Sequence, residues 1–151
     1  MGRITPFLWF DGNGEEAVNF YVSTFNDSRI LGLNRGPDGK AFTGSFELRG
    51  QEFMFVNAGP EFPFTEAISL FVKCETQEEV DELWGKLTAD GGEESRCGWL
   101  KDKFGLSWQI IPSALGELLG DPDPEKAGRA MQAMLGMQKI DIAGLQKAAA
   151  G

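Results

Sequence analysis

The sequence predicts an α+β fold, two βαβββ modules followed by a C-terminal helical tail. Three observations predict it. The order strand, helix, three strands occurs twice, glycine- and proline-containing turns separate the apolar runs, and beyond Pro112 strand-like alternation gives way to helical stripes. The halves share order and length rather than letters.

The first module opens on the β-branched and aromatic run of residues 4–10, "ITPFLWF", ended by the turn Asp11-Gly12-Asn13-Gly14. Asn13 is placed to cap a helix in which Ala17, Phe20, Tyr21 and Phe25 recur at near-helical spacing. Glu15 and Glu16 stand in its first turn, where the macrodipole favours anions. Strands are expected over 28–35, 40–50 and 51–59, punctuated by Gly36-Pro37-Asp38-Gly39 and Arg49-Gly50-Gln51.

The second module begins with a strand over 66–74, in which Ile68, Leu70 and Val72 alternate with Ser69, Phe71 and Lys73. Thr76 and Glu79 form a capping box ahead of Val80, Leu83, Trp84 and Leu87 on one helical face. Ala89-Asp90-Gly91-Gly92 closes that helix, and residues 93–112 supply two or three short strands with a turn at Phe104-Gly105. In the tail, Asp121-Pro122-Asp123-Pro124 marks a break, with Asp123 as cap and Pro124 at the first helical position. The tail's stripes (Ala127, Ala130, Met131, Met134, Leu135, then Ile140, Ile142, Leu145) are too small to form a core alone. The tail must therefore dock on its own sheet or on a partner subunit.

Composition narrows the function. With 151 residues, twelve Phe and four Trp, the chain makes one domain with an aromatic interior, plus an appendage. A net charge of -9 disfavours nucleic acid and anionic membrane surfaces, which need clustered cations. No apolar run approaches the ~20 residues that span a bilayer, and the expected location is cytoplasmic. Cys74 and Cys97 are expected as free thiols there. The chain has no His, so it lacks both the commonest catalytic metal ligand and the usual neutral-pH acid–base group. Asp11, Glu47, Glu66 and Asp102 adjoin expected strand ends, but no spacing pairs them, and most other acids read as solvated faces. Arg96 beside Cys97 suggests mild thiol activation, against the commoner reading of a small strand filler.

The stretches "PFLWFDGNGEEAVNFYVSTF", "FTEAISLFVKCETQEEVDELW", "GGEESRCGWLKDKFGLSWQIIP" and "DPDPEKAGRAMQAMLGMQKIDIAGL" resemble the PhnB-like branch of the vicinal oxygen chelate superfamily. That superfamily groups glyoxalases, bleomycin-resistance proteins and extradiol dioxygenases; many members of the branch carry the label 3-demethylubiquinone-9 3-methyltransferase. The resemblance runs from about residue 4 to residue 148. It implies a paired βαβββ domain over residues 1–112 folded as a glyoxalase-like cup, in which two half-cups enclose a cleft, with residues 113–151 as the helical tail. In metal-dependent relatives His, Gln and Glu side chains from the first and last strand of each unit converge on an ion. Here those positions fall on Thr5 or Pro6, Phe53, Ile68 or Ser69, and Gln109, a poor ligand set. The methyltransferase label implies an S-adenosylmethionine site, for which "FDGNGEEA" offers only a lone G-x-G in a unit whose next strands run as hairpins.

The expectation is therefore a homodimer that binds a small organic molecule in a metal-free aromatic cleft, with no cofactor. Trp9, Phe53, Phe55, Asn57 and Gln109 are the expected ligand-binding residues. Phe53, Phe55 and Asn57 share one strand face by period two, as do Ser107 and Gln109. Trp9 suits either the cleft or the core, and Trp108, opposing Gln109, is assigned to the core. The rival class is a divalent-metal-dependent glyoxalase- or dioxygenase-type enzyme. Methyl transfer has the least support.

Overall fold

A computed structural model describes residues 2–151. Residues up to Phe64 pack into one compact unit and Thr65–Gly151 into another. The first holds β1 (Phe7–Phe10), α1 (Gly14–Thr24), β2 (Ser28–Arg35), β3 (Ala41–Leu48) and β4 (Gln51–Asn57). Its sheet runs β1-β4-β3-β2, with β1 parallel to β4 and the other pairs antiparallel. The second holds β5 (Ser69–Cys74), α2 (Gln77–Thr88), β6 (Glu93–Glu94), β7 (Trp99–Lys101) and β8 (Ser107–Pro112). Its sheet repeats the pattern, β5-β8-β7-β6, with only β5 and β8 parallel. Helices α3 (Ser113–Leu119), α4 (Pro124–Leu135) and α5 (Ile142–Ala150) complete the chain. The α+β class, the duplicated order and the helical tail are as the sequence predicts.

In the first unit α1 buries Ala17, Val18 and Tyr21 on the sheet. Tyr21 stacks on Phe46 at 6.3 Å between centroids, and Phe46 stacks on Phe53 at 5.2 Å. Phe55 fits because two neighbours lack side chains. A Cβ on Gly14 would lie 2.8 Å from its ring, and one on Gly44 would lie 2.6 Å away. β1 starts at Phe7 rather than residue 4, since Pro6 has no N–H for the ladder.

The expected Asn13 cap takes another form. The Asn13 carbonyl accepts the first helical bond, from Ala17 N–H, but its side chain caps nothing. Asn57 supplies the side-chain bond instead: its Oδ1 accepts from Gly14 N–H at 2.8 Å, and its Nδ2 donates to the Ala41 carbonyl at 2.9 Å. The end of β4 thus holds the start of α1, and a tertiary amide displaces the local one.

In the second unit the Thr76 cap forms as expected, its Oγ1 accepting from Glu79 N–H. Val80, Leu83, Trp84 and Leu87 make the buried face of α2. Trp108 is buried, and so is Asp102. The Asp102 carboxylate accepts from Phe104 N–H and Leu106 N–H through Oδ1, and from the Trp108 indole through Oδ2. It closes the β7–β8 turn around Gly105, whose φ of 88° requires glycine's freedom. Asp102, a candidate acid by position in the sequence, is thus a structural acceptor.

The tail packs within this second unit. Ile111, Leu115, Ile140 and Leu145 form a buried cluster, joined by Leu118, Met134 and Met137. Backbone N–H groups of Cys97 and Gly98 donate to the Met137 and Gln138 carbonyls, each at 2.8 Å. Gln77 on α2 donates to the Ile140 carbonyl and accepts from Ile142 N–H. Asp123 caps α4 behind Pro124, as its sequence position predicts. Among the described residues no helix is long and apolar enough to cross a membrane.

Candidate functional site

Each sheet has one face under α1 or α2; on the second sheet the opposite face is covered at its Ile111 end by the tail, which packs on Ile111, and is clear of α2 at Gln109 and Ser107. On the face of the second sheet away from α2, pairing sets Phe71, Gln109 and Trp99 side by side, and Ser69, Ser107 and Lys101 in the next row, on the far side from Ile111 and the tail. Gln109 Nε2 donates to Ser69 Oγ at 3.0 Å. Ser107 is 1% exposed and its Oγ has no hydrogen-bond partner. Lys101 forms an ion pair with Glu66. Its hydrogen bond and charge hold the Glu66 carboxyl below the usual range, and Glu66 in turn raises the Lys101 ammonium. Both groups meet water, so the pair opens readily.

On the first sheet, the helix-free face carries Phe7 opposite Met54 and Trp9 opposite Val56. Phe7 is 55% exposed and Met54 39%. The Trp9 indole N–H donates to the Gly59 carbonyl at 2.8 Å, and its ring meets Phe62 edge-on. The sequence alone leaves Trp9 between cleft and core; the backbone places it on the face away from α1.

The structure divides the five expected lining residues. Trp9 lies on the face of its sheet away from α1, and Gln109 on the face of its sheet away from α2. Phe53, Phe55 and Asn57 do share one face, as period two requires, but it is the face under α1. Phe53 and Phe55 are buried there, and Asn57 is engaged by Gly14 and Ala41. They build the framework of the first sheet instead of an open lining. Phe71, Trp99 and Lys101 were not singled out by sequence, because their place beside Gln109 follows from strand register, which spacing along the chain does not reveal.

Of the expected metal positions, Ser69 and Gln109 come together, but as a hydroxyl–amide pair. Among the described residues no group of three or more Cys, Asp or Glu side chains gathers where it could hold an ion. Cys97 has a half-buried side chain and a left-handed φ of 59°, and neither Cys74 nor Cys97 is in a disulfide.

A separate open groove of about 700 Å³ lies in the first unit, walled by residues that include Gly12, Asn34, Arg35, Lys40, Phe42 and Asn57. Its polar side chains are largely engaged. Arg35 makes a bidentate pair with Glu15, and Asn34 donates to Thr43.

The comparisons with known proteins fit this geometry. The model of the family described as 3-demethylubiquinone-9 3-methyltransferase matches residues 2–111. The chain belongs to this PhnB-like family. A PhnB protein from Bacillus cereus, provisionally given the same methyltransferase description, is 39% identical. That match covers 74% of this chain and 99% of the other, with a TM-score of 0.69. A Pseudomonas aeruginosa protein at 18% identity shares the fold over 74% of this chain and 98% of its own, TM-score 0.60. So does a Bacillus cereus structure provisionally described as a glyoxalase, at 15% identity over 74% and 98%, TM-score 0.54. No curated protein matches. The PhnB-like chain thus shares its fold with these structures, among them the one provisionally described as a glyoxalase.

The residues do not fit the group that the family description implies. In a dinucleotide-type turn, glycine N–H groups and a bare Cα face the ligand. Here Gly14 N–H is bonded to Asn57, and the space above its Cα is filled by Phe55. The strands after α1 pair antiparallel, without the parallel crossover that builds such a crevice. S-adenosylmethionine has no cradle in this turn.

Proposed function

We propose that this PhnB-like chain binds a small organic molecule in a metal-free aromatic cleft, without an organic cofactor, as a homodimer in the cytoplasm. Residues 1–112 supply the binding domain and residues 113–151 an appendage. Gln109, in the second unit, is the lining residue on which we place the ligand; Trp9 is retained as a candidate on the face of its own sheet away from α1, with Phe53, Phe55 and Asn57 on the opposite face of that sheet. One observation carries the reading: at the strand position where metal-dependent relatives put a ligand, Gln109 donates its amide to Ser69 and stands between two aromatic side chains. An amide flanked by rings suits an organic ligand better than a cation. The groove of the first unit is the weaker candidate, since Asn34, Arg35 and Asn57 are already engaged by Thr43, Glu15 and Gly14. Pairing of subunits is supported by Met131 and Leu135, half-exposed four residues apart on α4.

Titration of the purified chain with Zn²⁺, Mn²⁺ and Ni²⁺ tests the reading. The expected result is no stoichiometric binding, and no change when Gln109→Ala is compared with the parent. Tight one-to-one binding lost in Gln109→Ala would reverse the metal-free assignment.

A further inference from the structure

The face of the second sheet away from α2 is covered by the tail at Ile111, and the part beyond it carries a pattern that narrows the ligand class, on the premise that a small molecule binds there. Neighbouring strands lie about 4.8 Å apart, so a row across β5, β8 and β7 spans about 10 Å, the length of a two-ring aromatic. One such row is Phe71, Gln109 and Trp99. Phe71 is 59% exposed and Trp99 half-buried, so ring surface flanks the amide on both sides. About 7 Å along the strands lies the second row, Ser69, Ser107 and Lys101.

The second row is rich in donors. Ser69 Oγ already accepts from Gln109, which leaves its own O–H to give. Ser107 is buried with its hydroxyl unmet, although buried hydroxyls are bonded as a rule. Period two aims it to the same side as Gln109, away from the Trp108 core. An unmet donor at the centre of such a row is free to give its proton to an acceptor from outside the protein once the side chains covering it move aside.

Charge decides which acceptor. The Lys101 ammonium is paired with Glu66 and has Glu93 as its register partner on β6. Lys73 lies on the same face of β5, beyond Phe71 and away from the serines. Two cations and two carboxylates balance, so the face presents no net field to draw an anion.

We propose that this face binds an uncharged planar aromatic compound bearing a carbonyl group. The ring lies along Phe71, Gln109 and Trp99, and the carbonyl oxygen accepts from the Ser107 hydroxyl. Three naphthalenes separate the elements of the claim: 2-acetylnaphthalene carries ring and carbonyl, 2-ethylnaphthalene lacks the acceptor, and 2-naphthoate adds charge. Affinities are read by ligand-detected NMR on the full chain and on Ser107→Ala. The ketone is expected to bind about fivefold or more tightly than the ethyl compound, the worth of one neutral hydrogen bond, and more tightly than the naphthoate, whose charge must be desolvated without a net cationic field to receive it. Ser107→Ala is expected to abolish that advantage while leaving the ethyl compound's affinity unchanged.

A naphthoate that outbinds the ketone overturns the uncharged assignment. Equal affinity of ketone and ethyl compound, or a ketone indifferent to Ser107→Ala, overturns the role of Ser107 and leaves small-molecule binding intact. Failure of all three to bind overturns the ligand class; if the chain also takes up a divalent ion at Gln109, the underlying reading falls with it. The three-probe comparison on the parent chain needs no variant, so it stands even where Ser107→Ala does not fold.

Discussion

In the first unit the sheet is held under its helix by rings: Tyr21 on Phe46, Phe46 on Phe53, and Phe55 lodged between Gly14 and Gly44. In the second unit the strands follow the same order, yet β6 has two residues and β7 three, against eight in each of β2 and β3. Strands so short gain little from ladder bonds, and a buried carboxylate supplies the missing constraint. Asp102 gathers two backbone N–H groups and the Trp108 indole, fixing the β7–β8 turn and the core tryptophan together. One topology is thus stabilised by shape in one half and by polar satisfaction in the other. Shape tolerates graded change, whereas polar satisfaction fails when a single acceptor is lost.

The largest effect is expected in the first unit. Phe55→Ala should cost about 3–5 kcal/mol, because the flanking glycines and Phe10 cannot close over the hole. Urea denaturation measures it, and a loss under about 1.5 kcal/mol, the scale of a well-tolerated volume change, would show that rings are not what holds this half. Asp102→Ala should cost somewhat less, about 3 kcal/mol, since three donors lose their acceptor within a buried turn. Asp102→Asn, which keeps one acceptor oxygen, should recover part of it. Equal stability of both variants and parent would erase the contrast between the halves. Asn57→Ala removes the amide that caps α1 and binds the Ala41 carbonyl, and about 1–2 kcal/mol should follow by the same assay.

The smallest effect is one of pH. The Gln77 amide, and after it the Lys139 ammonium, hold the Asp81 carboxyl below its ordinary value of 3.8. A lowered folded-state value means that Asp81 supports the folded form fully above that pH and loses this support as pH falls below it. Amide exchange around residues 137–142 should therefore quicken between pH 4 and lower values, and Asp81→Asn should flatten the dependence (about one proton's worth of change at most). Exchange rates independent of pH after correction for intrinsic chemistry would remove Asp81 from the tail's attachment.

These contrasts also mark what the sequence makes legible. The duplicated order, the hairpins and the Thr76 and Asp123 caps follow from local patterns, and the structure has them where the letters put them. Period two correctly groups Phe53, Phe55 and Asn57, but it does not say which side faces the helix. On β1 and β4 both faces are apolar: Phe7, Trp9, Met54 and Val56 line the other side. With no polar face to break the tie, the sign of the alternation is set by where α1 lands. Asn13 is a sound local cap displaced by an amide far along the chain, and Asp102 gains its donors only when the turn closes. The candidate site is legible at Gln109 and Ser107, which lie on one strand. Its aromatic flanks come from strands 30 or more residues away or across a turn, and only pairing reveals them.

Gln77 uses its carboxamide in both directions, giving a proton to the Ile140 carbonyl and receiving one from Ile142 N–H. Neither of its near look-alikes at this spot can do the same: glutamate has no proton to give at neutral pH, and lysine has no lone pair to receive one. Helix α2 and the C-terminal extension are therefore bound to drift together in evolution. Natural variants lacking the extension should be free to replace Gln77 with either charge, while those that retain it should keep an amide there.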